Sequence, residues 1–320
     1  MPDPIGIVEI LYEHPEWFQL LFAELERRRI PFRPRRADQL IFDPAAAARP
    51  ELVINRMSPS SWKRGHGHGI FATRDYIAHL EQVGVPVING LAAWDNEISK
   101  ARQLDLFRRA GVAYPRARVI NHPSLAAEAA RGLRFPVVVK PNIGGSGAGI
   151  VRFDTPEQLA AADLDLGFDQ VALVQEFVPA RGGTITRIEV LDGEFLYAIR
   201  IHTDFTSFNL CPADICRTED AGACPAEGPT RGLKVERVDP PRQAIEGALR
   251  LARLARLDVG GIEYLTDDRT GETVFYDINA LSNFVANAVE VVGFDPTARF
   301  VDFVERRLAA AGAAPAAALA

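Results

Sequence analysis

The sequence predicts a fold of mixed class, an α/β layer at the N-terminus followed by α+β domains. Three observations carry that reading. From Ile5 to Asn89, apolar runs alternate with segments of helical period. After Gly111 the pattern changes to short strand-like runs with tight connections, and the helices become segregated from them. The length of 320 residues leaves room for two or three packed domains.

The elements follow in order. Ile5–Leu11 is a short apolar run, and Phe18, Leu21, Phe22 and Leu25 mark one face of a helix that Pro31 stops. Glu51–Asn55 reads as the next buried strand, Tyr76–Val83 as a helix and Val85–Asn89 as a third strand. That alternation implies a mostly parallel sheet, on which ligands sit at the carboxyl ends of strands. Here those ends carry Asn55-Arg56 and Asn89-Gly90. Ile98–Ala110 is a helix closed by Gly111. Phe135–Lys140, Gly149–Phe153, Val171–Phe177, Thr186–Leu191 and Phe195–Ile201 read as strands, with a helix at Pro156–Ala162. Pro241–Arg256 is an amphipathic helix, followed by strands Val259–Leu265 and Thr273–Asn279 and by closing helices in Val291–Leu308. The Ala-rich tail, residues 309–320, is expected to be disordered.

Composition narrows the function classes. Hydrophobic residues make up 48% and charged residues 24%, which excludes a fibre or a largely disordered chain. Lys and Arg total 36 against 42 Asp and Glu, a net charge of -6. No basic excess draws the whole molecule to nucleic acid or to an anionic membrane. Three Cys in the chain do not make a disulfide framework, so the expected location is cytoplasmic. The first residues hold Asp3, Glu9 and Glu13 and no basic stretch, so no signal peptide is expected, and no apolar run is long enough to span a bilayer.

Two segments carry chemistry. In Val137–Ile150, VVVKPNIGGSGAGI, a strand ends in Lys140 and is followed by Gly144, Gly145, Ser146, Gly147 and Gly149. Glycines let backbone N–H groups close over an anion, and a lysine at the loop root adds a point charge. The order differs from a Walker A loop, where the lysine follows the glycines, and from a GxGxxG fingerprint. The loop joins two strands, as a flap over phosphates would; the plainer alternative is a flexible hairpin tip. In Gly260–Asn283, Asp277 and Asn279 are one residue apart and share a strand face, and the turn Asp267–Glu272 brings Glu263 opposite Asp277. Two carboxylates and an amide oxygen on one face suit Mg²⁺ bridging a nucleotide's phosphates. A solvated polar face is the alternative, and the apolar Ile262, Phe275, Tyr276 and Ile278 around it argue against exposure. The strand Val171–Val178, ending in Gln175, Glu176, Phe177 and Val178, carries no chemistry by itself.

Taken in order, these segments resemble the ATP-grasp carboxylate–amine ligases, in particular the glutathione synthetase and ribosomal-protein glutamate ligase branch. The resemblance runs from Ile5 to Leu308 and is most specific at Lys140–Gly149 and at Glu263, Asp277 and Asn279. It implies an ATP-grasp fold with an N-terminal pre-ATP-grasp α/β domain over residues 1–93. A central lobe with the glycine-rich flap would span 94–172, and a C-terminal lobe with the metal site 173–308. It also implies that Lys100, Lys140, Gly144, Gly145, Ser146 and Gly147 hold the phosphates. Gln175, Glu176, Phe177 and Val178 would hold adenine, with Glu176 or a near neighbour toward the ribose. Glu263, Asp277 and Asn279 would bind one or two Mg²⁺, for which Mn²⁺ could substitute. Arg187 and Asn209 would face the transferred phosphate.

The implied activity is ATP- and Mg²⁺-dependent joining of a small-molecule or peptide carboxylate to an amine through an acyl phosphate. A kinase of the same fold and a non-catalytic ATP-binding protein are the alternatives, and family habit suggests a homodimer. Two departures stand out: Ser99-Lys100 replaces the usual Asp-Lys pair, and ALSNF follows Asn279 instead of a Pro-Gly turn. Arg56, Ser282 and Asn283 are candidate substrate contacts, Arg56 toward a carboxylate. The segment His202–Cys216 is expected to shape the acceptor pocket. Cys211, Cys216 and Cys224 lack a CxxC pair and read as free thiols. His66 and His68, flanked by glycines, read as a gating or exposed loop, and the arginines from Arg27 to Arg36 as a solvated helix end.

Overall fold

The computed structural model of the chain describes residues 7–145, 147–203 and 234–313. Its elements begin with β1 (Val8–Tyr12), α1 (Gln19–Arg27), β2 (Phe32–Arg36), β3 (Leu52–Arg56), α2 (His68–Gln82) and β4 (Val87–Ile88). The strands pair in parallel in the order β2-β1-β3-β4. The parallel α/β layer expected from apolar alternation is present, with one strand more than the pattern showed.

That extra strand, β2, reads FRPRR and has no apolar alternation. Charge replaces it. Glu9 on β1 is fully buried and accepts from Arg33 (2.8 Å) and Arg35 (3.3 Å) on β2 and from the Tyr76 hydroxyl (2.7 Å). Arg28 donates to Asp302 (2.6 Å) and Glu305 (3.0 Å) in the last helix. Arg28, Arg33 and Arg35 therefore make tertiary contacts, whereas Arg27 and Arg29 stay exposed at the helix end as expected from sequence.

Next come α3 (Leu91–Glu97) and α4 (Lys100–Ala110). Ser99 caps α4, its hydroxyl accepting from Arg102 N–H, and Gly111 ends it at φ 64°. A four-stranded antiparallel sheet follows, ordered β5-β8-β6-β7. It contains β5 (Ala117–Ile120), β6 (Val137–Pro141), β7 (Val151–Phe153) and β8 (Ala172–Glu176), with short helices α5 (Ala126–Ala129) and α6 (Pro156–Ala160). Two boundaries drawn from sequence cut elements: α3 crosses 93/94, and β8 crosses 172/173 while belonging to the middle sheet.

The last sheet is antiparallel, ordered β11-β10-β9-β12-β13. It is built from β9 (Ala180–Leu191), β10 (Glu194–His202), β11 (Val235–Arg237), β12 (Val259–Asp267) and β13 (Thr273–Asn279). α7 (Arg242–Ala255) and α4 cover one face, burying Phe107, Ala248 and Leu251 against Ile188, Ile262 and Phe275. A second cluster joins Ile54 and Leu25 of the first layer to Ile199, Phe284, Phe300 and Phe303, so the first and last sheets share one core. The chain closes with α8 (Ala288–Val292) and α9 (Pro296–Ala313). α9 extends into the Ala-rich tail: residues 309–313 are helical, as alanine's high helix propensity favours, rather than disordered. No described helix is long and apolar enough to cross a membrane.

Candidate active site

A single cleft gathers most of the residues singled out in the sequence. Lys100, Lys140, Gly144, Gly145, Gly147, Gln175, Phe177, Val178, Arg187, Glu263, Asp277, Asn279, Ser282 and Asn283 all line it. The two lysines reach it from different elements, and Asn142 ties those elements together. Its side-chain carbonyl accepts from Ala101 N–H (2.9 Å) and the Ser99 hydroxyl (3.2 Å), and its backbone carbonyl accepts from Lys100 N–H (3.3 Å). Ser99 thus serves as helix cap and tether where the resemblance leads one to expect Asp. The glycine turn lies close by: a Cβ on Gly145 would meet Ser60 Cβ at 2.8 Å, so only glycine lets the flap approach the first layer this closely.

On the opposite wall, Glu263 of β12 pairs directly with Asp277 of β13, the register read from the sequence. Gln103 of α4 grips the peptide between Asp277 and Asn279. Its side-chain carbonyl accepts from Ile278 N–H (3.1 Å) and its amide donates to Ile278 C=O (2.9 Å). Just beyond, Ala280 N–H donates to the buried Glu97 carboxylate, and Asn89 donates to Ala280 C=O (2.8 Å).

Charges in the cleft are tightly interlocked. Lys100 Nζ lies 3.2 Å from Asp277 Oδ1. Arg187 donates to Glu189 (2.6 Å) and to Glu263 (2.9 Å), and the Tyr276 hydroxyl donates to the other Glu263 oxygen (2.8 Å). Gly261 makes this possible, because a Cβ there would lie 2.2 Å from the Arg187 guanidinium carbon. Burial and the neighbouring Lys100 lower the Lys140 ammonium to about 8. Burial opposes charge on Lys100 too, but Asp277 outweighs it and holds its pKa above the usual value. Burial raises Glu263 despite Arg187, and it pushes Glu97 up to about 7.

Glu263, Asp277 and Asn279 offer carboxylate and amide oxygens, hard donors of the kind Mg²⁺ takes, so the donor set fits that ion. Among the described residues no cluster of three His, Cys, Asp or Glu forms a metal site, and the amide of Asn279 is needed to complete the set.

Glu176 lines the cleft as well, and its carboxylate accepts from Arg134 N–H (2.9 Å) and pairs with Arg116 (3.4 Å) and Arg134 (3.7 Å). Other predicted positions lie differently. Arg56 is buried between the Phe18 and Phe300 rings, 5.4 and 5.5 Å from their centroids. It donates to Ser282 C=O, and its Nε and Nη1 are buried without a hydrogen-bond partner. Arg56 backs the wall formed by Ser282 rather than lining the cleft itself. His66 hydrogen-bonds the buried Glu13 (2.5 Å), and His68 meets Asp38 C=O (3.0 Å). Ser146, Asn209, Cys211, Cys216 and Cys224 lie outside the described residues, as does most of His202–Cys216. Sequence reasoning missed Glu97, Gln103, Asn142 and Trp17. Only Asn142 carried a local signal, through its place next to the Lys140-Pro141 strand end.

The fold is that of the solved ATP-grasp ligases, which superpose over nearly the whole chain. Comparison with known proteins makes this more particular: residues 98–211 match the RimK-like ATP-grasp domain. A probable alpha-L-glutamate ligase of Teredinibacter turnerae is 26% identical over 235 residues, covering 72% of this chain and 70% of that protein. D-alanine–D-alanine ligase A of Bradyrhizobium diazoefficiens is 28% identical over 227 residues, covering 66% of this chain but only 56% of its own length. The ATP-grasp ligase PsnB, solved with a minimal precursor, Mg and ADP, superposes with a TM-score of 0.62 at 19% identity. The superposition covers 95% of this chain and 97% of that one.

Proposed function

We propose that the protein uses ATP and Mg²⁺ to join a carboxylate to an amine, releasing ADP and phosphate. The observation that carries this reading is the meeting of Lys100 and Lys140, from separate elements, with Glu263, Asp277 and Asn279 beneath one glycine turn. Lys100, Lys140 and the turn would hold the triphosphate. Gln175, Phe177 and Val178 would border adenine, and residues 263, 277 and 279 would hold Mg²⁺, which neutralises phosphate charge when bound. A substrate carboxylate oxygen attacks the γ-phosphorus and ADP leaves, giving an acyl phosphate. The amine then attacks the acyl carbon and phosphate leaves. Arg187 and Asn209 would face the transferred group, and positioning and charge neutralisation supply most of the rate. Ser282 and Asn283 would contact the substrate, with Arg56 supporting them from behind. Three Cys and no disulfide framework suit a cytoplasmic setting.

The test is a phosphate- and ADP-release assay over paired panels of acids and amines, with products read by mass spectrometry. Equal ADP and phosphate release that needs both an acid and an amine supports the ligase. ADP with a phosphorylated product and no free phosphate would instead identify a kinase, and nucleotide binding without turnover a regulator.

A further inference from the structure

Beyond the nucleotide and metal residues, the cleft has a wall made of Trp17, Pro59 and Ser60 of the first layer and Leu281, Asn283 and Phe284 after β13. Two neighbours brace the Trp17 ring. Its ring stacks on His14, with centroids 4.5 Å apart and planes 15° from parallel. The Arg64 guanidinium sits 5.0 Å from the Trp17 ring and is itself fixed to Glu13 by bonds of 2.5 to 3.1 Å. Glu13 is 1% exposed and also holds His66, so the whole support is anchored in the interior. A large aromatic ring braced in this way presents a fixed apolar surface at little entropic cost to a ligand.

The polar feature of this wall is Asn283, whose side-chain oxygen is buried without a hydrogen-bond partner. An unpartnered acceptor is costly in the free protein and is relieved by a ligand N–H donor. The neighbouring hydroxyls are already engaged: Ser58 bonds Ser60 (2.8 Å), and Ser282 accepts from Phe284 N–H (3.1 Å).

Resting on the ligase reading above, we infer that Trp17 is the specificity-determining residue for the amine substrate. The site takes an amine carried on an apolar or aromatic body, which packs on Trp17 while its N–H groups meet Asn283. An acceptor with a second carboxylate in that position is disfavoured.

The experiment is calorimetric titration of the full chain, saturated with the non-hydrolysable analogue AMPPNP and Mg²⁺, with L-phenylalaninamide, L-alaninamide and L-glutamate. Phenylalaninamide is expected to bind at least tenfold more tightly than glutamate, with alaninamide between them. Trp17→Ala weakens phenylalaninamide at least tenfold and leaves AMPPNP within twofold, which also shows that the variant is folded. Trp17→Phe keeps an aromatic wall and stays within threefold of the parent. Glutamate binding as tightly as phenylalaninamide, no binding of either amide, or unchanged amide affinity in Trp17→Ala overturns the inference and leaves the ligase reading standing. Failure of AMPPNP to bind the parent protein removes the ligase reading, and this inference with it.

Discussion

Replacing Gly261 with Ala should displace Arg187 from its two carboxylates. An added Cβ would lie 2.2 Å from the guanidinium carbon and Nη2 and 2.3 Å from Nε. Relaxed carbon contacts need roughly 3.5 Å, so the guanidinium has to move by about 1 Å or more. The tip of an untethered arginine would swing aside at small cost. This one is fixed at 2.6 Å to Glu189 and 2.9 Å to Glu263, and both carboxylates are buried. Separating a buried pair leaves uncompensated charge and costs about 3–5 kcal/mol. We expect Gly261→Ala to lose about 3 kcal/mol, since part of the pairing survives a partial shift. Denaturant unfolding of Gly261→Ala, Arg187→Ala and the double variant measures it. With Arg187 absent, Ala at 261 should cost no more than about 0.5 kcal/mol, so the cycle shows strong coupling. Equal losses in both backgrounds would refute the reasoning and locate the cost in the strand backbone.

Other outcomes follow from the same geometry. With its free-state pKa lowered to about 8, Lys140 is increasingly neutral above that pH, and phosphates favour its charged form. ATP binding should then take up a proton near pH 8.5 and weaken as pH rises. Calorimetry in buffers of different ionisation enthalpy checks this, and zero uptake in the parent would contradict it. Asp277→Asn should abolish the Mg²⁺ enhancement of nucleotide affinity while keeping the fold; an undiminished enhancement would remove Asp277 from the metal set. Asn89 bonds Asp258 N–H (2.9 Å), Val259 C=O (2.7 Å) and Ala280 C=O (2.8 Å). Asn89→Ala should therefore cost about 3 kcal/mol from several buried groups left unpaired, and a loss below about 1 kcal/mol in denaturant unfolding would disprove that.

What could be read from the sequence depended on whether a residue's role was local. The pairing of Glu263 with Asp277 follows from strand period and turn length, and the end of α4 follows from Gly111 alone. Strand β2 was not legible, because Arg33 and Arg35 satisfy Glu9 from a neighbouring strand and leave no apolar period. Ser99 looked like a departure, but its meaning depends on Asn142, distant in sequence. Glu97 looked like an ordinary helix residue until Ala280 N–H was seen to reach it. Arg56 was legible only as a strand-end cation aimed at a substrate carboxylate, and its burial in an aromatic sandwich was not, since Phe18 and Phe300 come from opposite ends of the chain.

Gln103, Asn89 and Asn142 share a chemistry that explains how the site can stay charged. Lys100, Lys140, Arg187, Glu263 and Asp277 crowd one cleft, and a triphosphate with Mg²⁺ would have to find these groups available. Holding the scaffold with further ion pairs would place more fixed charge in a low-dielectric site and distort the field that the ligand meets. An amide avoids this, because it donates and accepts while carrying no net charge. Gln103 grips both sides of the Ile278 peptide, and Asn89 grips the main chain at 258, 259 and 280. Asn142 fastens the start of α4. Three neutral clamps thus fix the backbones that carry Lys100, Asp277 and Asn279 and leave the side-chain charges to the nucleotide. On the proposed reading the Lys100–Asp277 contact of 3.2 Å would be the exchangeable member of the set, since a phosphate would take the place of Asp277 at the lysine and Asp277 would then be available to hold Mg²⁺.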